Sequence, residues 1–122
     1  MKVRALRGAT TVPANSAEAI VKATGELLGE MLARNSVEPA DVISIVFTST
    51  ADLDAEFPAA AARGIGLDQV PLLCATEIPV PGSLEACVRV LLHLYTPRDY
   101  ASLRHVYLNG ATALRSDLAG EP

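Results

Sequence analysis

Tryptophan is missing from this sequence, and aromatic residues of any kind make up only 4% of it. The apolar half of the chain, 50%, is carried largely by alanine, valine and leucine, as in a compact α/β domain. Positive charge is also short: 10 Lys and Arg stand against 14 Asp and Glu, for a net charge of −4. With no basic block, the electrostatic footprint of a nucleic-acid binder is excluded, although a small anion can still bind where a few arginines converge. Cysteine is scarce. Cys74 and Cys87 form neither a disulfide framework nor a CxxC unit, and with His93 and His105 they fit no zinc-ligand spacing. Gly64-Ile65-Gly66 follows a helical stretch and lacks the third glycine of a dinucleotide loop. No apolar run approaches the ~20 residues of a membrane span, and Met1-Lys2-Val3-Arg4 does not read as a secretory leader. The expected setting is therefore the reduced cytoplasm, with no membrane or nucleic-acid partner. A chain of 122 residues is expected to form one domain over residues 1–115, followed by a mobile tail at 116–122.

The alternating stretch Lys2–Val12 predicts a first strand that ends at Gly8. Asn15 with Glu18 reads as a helix N-terminus, and Ile20, Ala23, Thr24, Leu27 and Met31, flanked by Val21, Leu28 and Leu32, recur at helical spacing as far as Asn35. Gly25 and Gly29 weaken that helix, so close packing against a neighbour is expected there. Glu38–Asp41 turns the chain into a β-branched strand, Val42–Thr48, expected to be buried on both faces. A short alanine-rich helix follows Pro58 and ends at Arg63-Gly64. Val70–Cys74 predicts a strand, Ala86–Leu94 another, and His105–Leu108 a last one that turns back through Asn109-Gly110 as a hairpin. The order is β-α-β-α-β-β, an α/β domain with a mixed sheet in which the three early strands are expected to pair in parallel. Two helices cannot cover both faces of such a sheet, so self-association over the bare face is expected.

Arg89 is the strongest single signal. It lies inside the apolar run Ala86–Leu94, where a guanidinium needs an anionic partner or a wet cleft. An ion pair with Glu77 or Glu85 and an anion receptor are equally good readings of it. Arg7 emerges, with Cys74 and Glu77, at the carboxyl ends of strands, where ligands of α/β sheets gather; alone it reads as a surface arginine. Cys74 has no histidine near it in sequence, and a thiol without a base reads as a core residue. Tyr107 is expected to be half-buried, with its hydroxyl seeking a partner.

Five segments stand in order along nearly the whole chain: RGATTV at 7–12, FPAAAAR at 57–63, LCATE at 73–77, CVRV at 87–90 and HVYL…LRSDL at 105–118. Together they resemble the monofunctional bacterial chorismate mutases of the trimeric pseudo-α/β-barrel class. The resemblance implies a homotrimer with active sites between subunits, converting chorismate to prephenate without cofactor or metal. It implies Arg7 and Tyr107 as partners of one carboxylate, and Arg89 against the ether oxygen and the enolpyruvyl carboxylate. Glu77, with Cys74 or the backbone of Leu73, Ala75 and Thr76 beside it, would hold the ring hydroxyl. Phe57 and Leu114 would form apolar walls, with Arg63 and Arg115 near the mouth. A lysine common in the family is replaced by Ala60, which removes one cation from the rim. Two other readings remain open, a non-catalytic trimeric module that binds a small dicarboxylate and a trimeric enzyme of imine or enamine chemistry.

Overall fold

A computed structural model describes residues 1–116. Leu6, Gly8 and Thr10 alternate toward the core along the first strand, β1 (Lys2–Thr11). The strand does not stop at Gly8. A side chain there would place its Cβ 2.5 Å from the Met31 sulfur and 3.1 Å from Leu27, so the glycine lets a helix lie close against an uninterrupted strand. That helix, α1 (Ala17–Arg34), is capped by Ser16, whose hydroxyl accepts from the Ala19 N–H at 3.1 Å. Asn15 is one residue too early to cap. Its side chain instead binds the 54–55 loop, donating to Asp54 and accepting from the Asp54 and Ala55 N–H groups. At the other end Asn35 closes the helix and is buried. It donates to the Met31 and Arg104 carbonyls and accepts from the Arg104 N–H.

The expected stripe is the buried one: Ile20, Ala23, Thr24, Leu27, Leu28 and Met31. Gly25 and Gly29 lie off it, and a Cβ added at either would meet nothing, so close packing within the chain is not their reason. After a 3-10 turn at Pro39–Asp41 come β2 (Val42–Ser49), α2 (Ala60–Arg63), β3 (Leu72–Thr76), β4 (Cys87–Thr96), β5 (Val106–Leu108) and α3 (Thr112–Ser116). β2 is fully buried on one face only, its other face being half-exposed.

The five strands lie in the order β3-β2-β4-β1-β5. β2 pairs in parallel with β3, as expected, but β1 does not touch β2: β4 lies between them, antiparallel to both. The connection over residues 77–86 has no helix to carry a parallel crossover, so the chain returns in the opposite direction. β5 adds to the far side of β1 in parallel. It does not turn back as a hairpin. Asn109 and Gly110 donate to Thr10 and Thr11 at the end of β1, and this docking sends the chain through a 3-10 turn into α3. The tail expected at 116–122 lies, apart from Ser116, outside the described residues.

The first two helices cover one face. Leu27, Leu28 and Met31 of α1 and Ala61 and Ala62 of α2 share a core with Leu6, Ile45, Phe47, Val90, Leu92 and Leu94. The opposite face is covered at one end, where Ala111, Tyr107 and Leu114 pack with Ala9 and Cys87, and bare at the other, with Val3, Leu91 and Tyr95 exposed at 55%, 37% and 49%. Among the described residues no helix is long and apolar enough to cross a membrane.

Candidate active site

Pairing register brings the chemistry to the bare face. One row of Cα partners runs Ala75–Thr48–Arg89–Ala9–Tyr107 across all five strands, and a second runs Leu73–Val46–Leu91–Arg7. Directly paired residues point to the same side of a sheet, so Arg7, Arg89 and Tyr107 converge. They line one hollow of about 520 Å³, with Thr48, Leu91 and Leu114 among its other walls. Ala9, between Arg89 and Tyr107 in the row, also lines it.

Glu77 follows β3 directly, its N–H bound to the Ser49 carbonyl at 2.9 Å. Its carboxylate is mostly buried, with 14% of the side chain exposed, and Oε1 pairs with Nε of Arg89, whose side chain is 43% exposed. The same oxygen accepts from the Thr48 hydroxyl at 3.1 Å. Arg89 is thus ion-paired to Glu77 and also lines the hollow. Its buried Nε faces Glu77 without an aligned hydrogen bond. Arg7 is set by its backbone, whose N–H donates to Nδ1 of His105 at 2.9 Å. Burial, and secondarily the Arg7 charge, hold the His105 pKa below its usual 6.5, which keeps the ring neutral and accepting.

Other expected site residues lie elsewhere in the chain. Phe57, Cys74, Ala75 and Thr76 border a second hollow of about 340 Å³ at the outer strand. Cys74 pairs with the buried Phe47 on the helix-covered face and packs partly against the core, as its lack of a base implied. Leu73, 62% exposed, and Arg63, at the end of α2, line neither hollow. The side chain of Arg115 lies outside the described residues. Cys87 is fully buried, and burial, with Glu77 adding to it, pushes its thiol up to about 11, so it offers no thiolate. Thr48 and Ala9 were missed by sequence reasoning. The only signal for either was strand parity relative to Arg89 and Arg7, which cannot be used before the register is known.

This arrangement gathers two guanidinium groups and a phenol at one hollow, with the Glu77 carboxylate held against Arg89. Comparison with known proteins points to one family. The family "Chorismate mutase type I" matches residues 3–118. Chorismate mutase AroH of Thermus thermophilus is 49% identical over 117 residues, covering 95% of this chain and 96% of that protein. Chorismate mutase AroH of Bacillus subtilis is 39% identical over 120 residues, covering 98% and 94%. Among solved structures, a chorismate mutase from Clostridium thermocellum superposes with a TM-score of 0.89 at 54% identity, over 90% of this chain and 98% of that one.

Proposed function

Since the chain belongs to the type I chorismate mutase family, we propose that the hollow lined by Arg7, Arg89 and Tyr107 receives chorismate and converts it to prephenate. The activity is that of an isomerase, an intramolecular Claisen rearrangement in which one C–O bond breaks as one C–C bond forms. Arg7 and Tyr107 hold one carboxylate. The terminal nitrogens of Arg89 face the ether oxygen and the enolpyruvyl carboxylate, and Glu77 takes the ring hydroxyl through Oε2, since Oε1 is already shared by Thr48 and Arg89.

No proton moves and no covalent link to the protein forms, so the site needs neither base nor nucleophile. It needs a cavity that holds the compact diaxial conformer and a fixed cation where negative charge grows. Substrate and transition state carry the same total charge, so Arg89 accelerates only by matching where that charge moves. A guanidinium already oriented by Glu77 does this without reorganising during the reaction.

The active unit is a homotrimer whose sites lie where protomers meet. Two features support this. The bare face exposes Val3, Leu91 and Tyr95. The site residues also divide between the arginine hollow and the hollow beside Phe57 and Cys74, so one protomer's outer strand can roof its neighbour's arginines. Ala60 leaves the rim one cation short of the family pattern, and weaker substrate affinity is expected.

The convergence of Arg7, Arg89 and Tyr107 on one hollow carries this reading. Purified protein mixed with chorismate should abolish the substrate's ultraviolet absorbance and yield prephenate. Persistent absorbance with folded protein would refute it.

A further inference from the structure

We propose that Thr48 is a positioning residue of this site, holding the Glu77 carboxylate so that it fixes one side of the Arg89 guanidinium. The proposal rests on the reading of the hollow as the chorismate site. It follows from the order of the strands. β2 lies between β3 and β4, and Thr48 is the direct partner of Arg89 on one side and of Ala75 on the other. Glu77, two residues beyond Ala75, continues the pairing through its N–H to the Ser49 carbonyl. The Thr48 hydroxyl is thus the side-chain donor that stands between the acid and the arginine. It uses that place, donating to Oε1 at 3.1 Å, the oxygen that also meets Nε of Arg89.

The order of dependence is set by what each group lacks. Nε of Arg89 is buried and has no aligned hydrogen-bond acceptor, so its orientation depends on the charge of Glu77. A glutamate has several rotatable bonds and does not hold a fixed direction unaided. The Thr48 hydroxyl supplies that direction, on a β-branched side chain that is stiff at χ1. It points Oε1 at Arg89. The terminal nitrogens of Arg89 are then held where the ether oxygen gains charge, and the benefit falls on the transition state more than on binding.

Thr48→Val keeps the shape and removes the hydroxyl. It should lower kcat by about tenfold, the weight of one hydrogen bond to a charged acceptor, with a smaller change in KM. Thr48→Ser should recover kcat to within about twofold of wild type. In a Glu77→Ala background, Thr48→Val should cost nothing further, because the residue it acts through is gone. Thr48→Ala serves as a second hydroxyl-free variant should the valine variant melt early. Wild-type kcat in both hydroxyl-free variants would overturn the proposal, as would a serine variant that stays slow, or a loss that persists undiminished without Glu77. A wild-type chain that fails to turn over chorismate overturns the site reading and this role together. Turnover that is indifferent to the hydroxyl overturns the positioning role alone.

Discussion

Arg89→Ala tests whether this side chain serves the reaction more than the fold, and the structure gives the two effects different sizes. The guanidinium is 43% exposed and its partner carboxylate 14%. Water reaches the guanidinium and screens the pair, but the carboxylate is mostly buried, so the pair contributes somewhat more to stability than the about 0–1 kcal/mol of a fully exposed one. The variant should therefore fold, melting within several degrees of wild type. In the reaction, a preorganised donor aimed at growing negative charge is lost, and one such donor is worth about 10²–10³ in kcat. A second effect falls on binding. Glu77 keeps the Thr48 hydroxyl but loses its cation, and its carboxylate then faces a doubly negative substrate. Like charges about 4 Å apart repel by about 1 kcal/mol in water and about 4 kcal/mol near a protein surface, so KM should rise by a further tenfold or more.

These effects separate experimentally. Chorismate disappearance followed by ultraviolet absorbance gives kcat and KM, and a circular-dichroism melt gives stability. Adding Glu77→Gln to Arg89→Ala should relieve KM, because it removes the stranded charge, while kcat stays low. A kcat for Arg89→Ala within about tenfold of wild type would refute the donor role. Collapse of the fold would refute the claim that the ion pair is secondary to stability.

Cys74→Ser should remain active, since Cys74 faces the core side of β3 and no step needs a thiol; abolished turnover in a folded variant would argue for thiol chemistry. Gly25→Ala and Gly29→Ala should each stabilise the chain by up to about 1 kcal/mol, because the added methyl meets open space, whereas Gly8→Ala should cost about 1–3 kcal/mol by overpacking against Met31 and Leu27. Urea midpoints of the three variants check the contrast in sign. His105, whose pKa is held below 6.5 chiefly by burial, should make stability fall with acid. Between that lowered value and 6.5 only the unfolded chain takes up the proton, so this contribution is complete above 6.5 and is lost as the pH drops below it. Urea midpoints at about pH 7.5 and about pH 5.5 should differ more for wild type than for His105→Asn, and an equal difference would contradict the assignment.

What the sequence revealed and what it hid divide along a physical line. Arg89 was legible because a charge in an apolar strand is costly enough to demand a partner, and the partner, Glu77, was one of two acids named from sequence. The stripe of α1 and its stop at Asn35 were legible because both signals are local. Gly8 was misread because a glycine that ends a strand and one that admits a helix look the same in one dimension; only Met31 and Leu27, more than a helical turn apart from β1 in any local sense, tell them apart. Asn15 and Ser16 can each cap, and the choice was made by a loop at residues 54–55. The place of β4 between β2 and β1 is a long-range pairing that no local propensity encodes. The site inherits that limit. It is a row across five strands, and each member acquires its role from the neighbour beside it. Charged members announce themselves, while the uncharged ones do not. Thr48 looks like any β-branched strand residue until Glu77 and Arg89 stand on either side of it. Ala9, 1% exposed, looks like filler until the register sets it between Arg89 and Tyr107 in the lining of the hollow.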